Sequence, residues 1–135
     1  DEIVPFVDLH INEKIKFFGQ QPQNKLNYYY SQANAFVLFS LEEVLAMVQA
    51  QAMACGLPII CTTNTGGEDL IEDGTSGCVL PIRDVDALKE KLFFLFENQN
   101  VCKEMGEEAK MRVQEAFSWD DYGDKITNEY EGILL

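Results

Sequence analysis

Apolar positions follow two rhythms along the chain. Between residues 15 and 80 they come in short unbroken blocks: Ile15-Lys16-Phe17-Phe18 closed by Gly19, Ala35-Phe36-Val37-Leu38-Phe39, Pro58-Ile59-Ile60-Cys61-Thr62, and Cys78-Val79-Leu80. Blocks without polar alternation read as strands covered on both faces, which belong to parallel sheets under layers of helix. Between the blocks, Asn24 can cap a helix through Gln32, and a second helix is predicted from about Val44 to Cys55, stopped by Gly56 and Pro58. Gly66-Gly67 predicts a loop, and Asp73-Gly74 and Ser76-Gly77 are turn signals. From residue 84 the spacing changes to threes and fours. Asp84 can cap a helix carrying Val85, Leu88, Leu92 and Leu95, and Val101, Met105, Ala109, Arg112, Val113 and Ala116 extend the period in a second one. Ser118-Trp119-Asp120-Asp121 is spelled like a capping box, and Trp119, Tyr122, Ile126, Tyr130 and Ile133 form one stripe of a last helix. Strands alternating with helices imply β-α-β units with right-handed crossovers. The expected fold is α/β: a Rossmann-like doubly wound parallel sheet with helices on both faces and the C-terminal helices packed on it. With no internal repeat or low-complexity linker, residues 1–135 are read as one domain.

Composition narrows the partners. Of 135 residues, 47% are apolar, and 10 Lys+Arg face 23 Asp+Glu, a net charge of −13. A chain of this length buries roughly two-thirds of its exposable surface, enough for one core. The acidic balance excludes nucleic acid or an anionic membrane as the main partner, since both attract cationic surfaces. Ala35–Phe39 and Leu92–Phe96 are each five residues long, far short of the roughly 18 a membrane span needs, so no direct membrane insertion is expected. The start, Asp1-Glu2-Ile3, has no initiator Met, basic cluster or apolar signal core, and reads as a cut from something longer. Cys55, Cys61, Cys78 and Cys102 show no C-x-x-C spacing and are expected as buried free thiols in a reducing, cytoplasmic compartment. His10 is the single histidine and has no second to share a metal or a triad.

Ligands of doubly wound sheets sit outside the carboxyl ends of the strands, so the loops after Phe39 and Thr62 carry the chemistry. Ser40–Pro58 reads as strand end, loop, then helix. The first amides of a helix have no internal partner and the dipole is positive there. A diphosphate above Ala46, Met47 and Val48 would find donors without any lysine. Glu43 at the loop's edge can accept bonds from sugar hydroxyls. Gln51, eight residues on, projects on roughly the same side two turns later. Hydroxyl acceptors on either side of an anion site suit a nucleotide sugar. Rival readings stay open: Glu43 as a carboxylate stabilised by the dipole, Gln51 as an ordinary helix polar residue, and Thr63, Asn64, Gly66 and Gly67 as a plain tight turn. Met47 and Met53 suit packing. Asp84-Val85-Asp86 spells a metal-binding D-x-D, yet its position before a helix reads as a cap, and alternate burial on a helix accounts for Tyr28, Tyr29 and Tyr30.

The same stretch resembles the signature of the C-terminal, donor-binding domain of family 4 (group 1) glycosyltransferases of GT-B architecture. Ser40, Glu43 and Ala52-Met53-Ala54 through Gly56 and Pro58 carry the resemblance, in order with Phe17-Phe18-Gly19, the Ala33–Leu38 strand, Gly66-Gly67, Glu72–Gly77 and Phe117-Ser118-Trp119. It implies a part of a retaining enzyme moving a sugar from a nucleoside-diphosphate sugar to an acceptor, in polysaccharide or glycoconjugate synthesis. It implies no metal and no cofactor. The partners are then the nucleotide sugar and an N-terminal domain of the same chain that supplies the acceptor side, so this part alone is expected to be inactive. Carried over by position, Glu43 orients the donor sugar and Gln51, standing where the family has glutamate, takes the ribose hydroxyls. The full donor-binding expectation is Ser40, Ala46, Met47, Val48, Gln51, Asn64, Gly66 and Gly67. Two departures stand out: Val44-Leu45-Ala46 replaces the family's G-F-G, and its upstream Arg and Lys pair has no counterpart in the first 42 residues. The alternative is a degenerate, non-catalytic interaction domain of the same fold. A response-regulator-like or flavodoxin-like module would need an acidic strand-end cluster with a downstream Lys, or a Ser/Thr-rich phosphate loop, and neither is found.

Overall fold

A computed structural model describes residues 15–44, 47–116 and 119–134. Its centre is the block Ile59–Thr62, strand β2, whose four residues are all buried. Strand β1 (Phe36–Leu38) pairs with it on one side and β3 (Gly77–Leu80) on the other, both parallel, with Phe36 opposite Ile59 and Cys61 opposite Val79. Strand alternation turns Ile59 and Cys61 to one face and Ile60 to the other. On the first face they meet Ala52 and Met53 of helix α2 (Met47–Ala54), Leu70 and Ile71 at the end of the short helix α3 (Gly67–Leu70), and Ala109 of α5 (Gln99–Ala116). On the second, Ile60 packs with Cys78, Leu80, Leu95 of α4 (Val85–Glu97) and Cys102 and Met105 of α5. The doubly wound α/β expectation holds, with helices over both faces of the described sheet.

Local chemistry explains most boundaries. α2 ends in a Schellman cap: Gly56, at φ +80°, donates to Met53 O (2.8 Å) and Leu57 to Ala52 O (3.1 Å), and Pro58 then blocks further helix. α5 packs close against that cap because Gly106 has no side chain; a Cβ there would collide with Gly56 O. Asp84 caps α4 by accepting from Ala87 N at 2.9 Å, so the D-x-D spelling is a helix start.

Several expectations need correction. The first block is not a strand: Ile15 makes a single bridge, Lys16–Gly19 is irregular, and Phe17 and Phe18 are more than half exposed. Among the described residues, none of β1–β3 pairs with it. Helix α1 runs Gln23–Tyr30 with Pro22, not Asn24, at its N-cap, in an extended conformation and without a side-chain cap bond, so Asn24 lies within the first turn. β1 is not covered on both faces; Val37 is 37% exposed, since β1 is the edge of the described sheet. Gly66-Gly67 is not all loop: Gly66 at φ +67° opens α3. Leu95 alone of α4 is fully buried, while Val85 and Leu92 stay exposed. α6 (Trp119–Leu134) forms as expected, but Ile126, Tyr130 and Ile133 are exposed rather than packed. Cys61, Cys78 and Cys102 are buried free thiols, whereas Cys55, just past α2, is exposed. The expectations at His10, Ala46 and Ser118 lie outside the described residues. Among the described residues no helix is long and apolar enough to cross a membrane.

Candidate functional site

β1 and β2 end side by side, and the chain leaving each one enters a loop at the same rim of the sheet. Side chains and backbone join the two loops. Thr62 Oγ1, at the tip of β2, donates to Ser40 O just past β1. Glu43 N donates to Asn64 O at 2.9 Å, and Thr63 N donates to Leu80 O at 3.0 Å, tying in the end of β3. Within the second loop Asn64 (φ +69°) and Gly66 (φ +67°) both adopt the left-handed conformation, which Asn tolerates and Gly adopts freely. Thr65 between them is fully buried, its hydroxyl donating to Thr62 O at 2.7 Å. Asn64 N donates to the Glu68 carboxylate at 3.2 Å.

The expected residues fall as follows. Ser40 is half-buried, its hydroxyl donating to Glu42 O at 3.2 Å. Glu43 is exposed, its backbone fastened to Asn64 while its carboxylate makes no hydrogen bond or ion pair with the described residues. Met47 opens α2 with 59% of its surface exposed, and Val48 is half-buried behind it. Gln51 is half-buried, and its amide oxygen lies out of solvent with no donor. Asn64 is exposed, Gly66 half-buried and Gly67 buried. Ser40, Glu43, Asn64, Gly66 and Gly67 thus share one rim, with α2 rising beside it. No hydrogen bond joins Gln51 to the loops among the described residues, and Ala46 lies outside them.

The two loops, residues 40–44 and 63–69, carry Glu42, Glu43, Glu68 and Asp69 and no Lys or Arg of their own. Attraction for an anion would come from the unpaired amides at the start of α2 and from its dipole. Among the described residues no group of three His, Cys, Asp or Glu side chains could hold a metal ion. Behind the rim, burial pushes the Cys61 thiol above its ordinary range, a hydrogen bond with Thr65 opposing the shift and Glu68 and Asp73 adding to it. Open hollows lie elsewhere: one of about 440 Å3 is bounded by Phe18, Gln21, Leu26 and Tyr29, and another of about 430 Å3 by Glu72, Arg112 and Glu115. The case for a site at the rim rests on its polar groups.

Sequence reasoning missed four residues that build the rim: Thr62, Thr65, Glu68 and Gln49. Gln49 is fully buried and donates from Nε2 to Thr65 O at 3.0 Å. One signal was available. Positions 49, 52 and 53 stand at i, i+3 and i+4, so the face that buries Ala52 and Met53 also buries Gln49. Thr62 and Thr65 bond backbone atoms, and nothing in their spacing announces it.

Among curated proteins, the chain is 29% identical over 126 residues to the N-acetyl-alpha-D-glucosaminyl L-malate synthase of Bacillus anthracis, covering 93% of this chain and 32% of that protein. It is 26% identical over 117 residues to the O-antigen chain mannosyltransferase B of Escherichia coli, covering 87% of this chain and 30% of that one. The chain therefore spans about a third of the length of these relatives. Sucrose-phosphate synthase from Thermosynechococcus elongatus superposes with a TM-score of 0.85 at 26% identity, over 98% of this chain and 34% of that protein. HepE of Anabaena, solved with UDP-glucose, superposes with a TM-score of 0.82 over 97% of this chain and 36% of its own; at 17% identity this likeness concerns the fold. The pattern described as "Glycosyl transferases group 1" matches residues 7–112, and the chain belongs to that family.

Proposed function

We propose that this chain is the donor-binding part of a retaining glycosyltransferase, moving a sugar from a nucleoside-diphosphate sugar to an acceptor held by a further domain of the whole protein. The supporting observation is the joined rim: Glu43 N on Asn64 O and Thr62 Oγ1 on Ser40 O hold two strand-end loops together beside the start of α2. Membership of the family and the UDP-glucose held by the structurally similar HepE agree with it.

In this reading the diphosphate rests over the amides at residues 46–48, where the dipole offsets the negative charge that grows on the leaving group. The exposed Glu43 carboxylate accepts hydroxyl bonds from the donor sugar and orients it. The unpartnered Gln51 Oε1, out of solvent in this structure, accepts a ribose hydroxyl once the side chain turns outward, and the backbone of Asn64, Gly66 and Gly67 lines the phosphate side. No metal is called for in this reading, because the amides and the dipole at the start of α2 supply the counter-charge. Closure against the other domain brings donor and acceptor into line and excludes water, so the 135 residues alone transfer no sugar. The setting we favour is polysaccharide or glycoconjugate assembly, in keeping with the mannosyltransferase relative.

The test is a titration of the 15N-labelled chain with UDP, GDP and ADP. Shifts confined to residues 40–51 and 62–68, weakened by Gln51→Ala and Glu43→Ala, support the reading. Spectra that stay unchanged at millimolar nucleotide refute donor binding and favour a non-catalytic interaction domain.

A further inference from the structure

The geometry points to Gln49 as a positioning residue of the donor site, a proposal that rests on the donor-binding reading above. Gln49 is fully buried on the face of α2 that packs its apolar neighbours Ala52 and Met53. A leucine or methionine would fill such a place without leaving a polar atom unmatched. Here the side chain spends one end on the loop and leaves the other unpaired: Nε2 donates to Thr65 O, while Oε1 is out of solvent with no donor. Packing alone does not account for an amide under those conditions.

Its surroundings define what it holds. Thr65 is the buried residue between the two left-handed positions, Asn64 and Gly66. Gly67 lies directly against the same amide. A Cβ at Gly67 would come 2.6 Å from Gln49 Oε1 and closer still to Cys61 Sγ. The missing side chain at Gly67 is therefore what makes room for the amide. Among the described residues this is the only side-chain hydrogen bond from α2 to the loop. Glu43 and Ser40 fasten the loop from the β1 side, and Gln49 fastens it from the helix side. The two surfaces assigned to the donor, the start of α2 and the loop 63–67, then move as one body.

The consequence falls on binding. With the amide in place, the loop is ordered before a donor arrives. Without it, binding has to order the loop, and affinity falls by that cost. A role confined to core packing behaves differently: it lowers melting temperature and leaves the affinity of the folded molecules as it was.

The experiment compares the wild-type chain with Gln49→Met, which keeps length and burial, and Gln49→Leu as a second replacement. Each is titrated with UDP, GDP and ADP, with a melting curve recorded alongside. We expect Kd for the bound nucleotide to rise roughly ten-fold in both variants, the size of one buried hydrogen bond's contribution, with the amide resonances of Thr65, Gly66 and Gly67 displaced before ligand is added. Equal Kd in wild type and the variants, with only the melting temperature moved, overturns the proposal and leaves the donor reading standing. A wild-type chain that binds none of the three nucleotides removes the donor reading and this inference with it. Should both variants fail to fold, the side-chain amide signals of Gln49 in the wild type decide. A shift on nucleotide addition supports the positioning role, and no shift alongside a moving Gly66 refutes it.

Discussion

Helices α2 and α6 are both legible in the sequence and end in opposite situations: α2 is apolar around most of its circumference, whereas α6 carries a single apolar stripe. α2 has eight residues, yet it carries the fully buried Gln49, Ala52 and Met53 and a Schellman cap, with Gly106 of α5 set against its end. α6 has twice the length, and Ile126, Tyr130 and Ile133 along its stripe remain exposed. The periodicity of a sequence reports that a helix forms and which side is apolar. It does not report whether a partner surface covers that side. Short helices are marginal in isolation and take their stability from packing, so α2 depends on its neighbours far more than its own propensity would suggest.

That contrast can be pressed by substitution, starting where the loss should be greatest. Met53→Ala opens a hole beside Ile59 and Leu70 and should cost about 2–5 kcal/mol in a urea unfolding curve. Gly56→Ala tests the cap by itself. The nearest atom to the new Cβ is Gly106 O at 4.0 Å, so only the strain of φ +80° is added, and about 1–2 kcal/mol should be lost. A smaller effect should come from pH. Burial pushes the thiols of Cys61, Cys78 and Cys102 upward from their ordinary 9.0. The unfolded chain then ionises first, so stability is whole below pH 9.0 and falls as pH rises past it, read as a urea midpoint that drops between neutral and alkaline buffer. Least affected should be Ile133→Ser, within roughly 0.5 kcal/mol of wild type, because the side chain already faces water. A large loss there would show that the stripe of α6 is covered in solution and would erase the contrast.

Legibility followed the same division. Strand blocks 58–62 and 78–80 were readable because a run buried on both sides has no polar alternation; block 35–39 has the same apolar run and forms β1 although Val37 stays exposed at the edge, and the parallel order of the three followed from the helices between them. Gly56, Pro58 and Asp84 were readable because each acts through its own backbone or a neighbour three residues away. The hidden parts depend on distant partners. Ile15–Phe18 carries a strand's composition, yet beyond the bridge of Ile15 the described residues are irregular and join none of β1–β3, and composition does not report which partner a run meets. Gly66 and Gly67 looked like one turn, yet Gly66 supplies a left-handed φ while Gly67 makes room for Cys61 and Gln49, and only the second role depends on residues far away in sequence. Glu43 and Gln51 were singled out by their setting. The bonds that shape that setting, from Thr62, Thr65 and Gln49, join residues 16 to 22 positions apart or run to backbone atoms, beyond the reach of local spacing.

The single helix α5 supplies Ala109 to the cluster on one side of the sheet and Cys102 and Met105 to the other. Neither layer can therefore come apart while its counterpart stays intact, because the rod they share would have to leave both. The chain should lose its order in one cooperative step, and slowly exchanging amides of α2 and α4 should open with a common free energy despite lying on opposite sides.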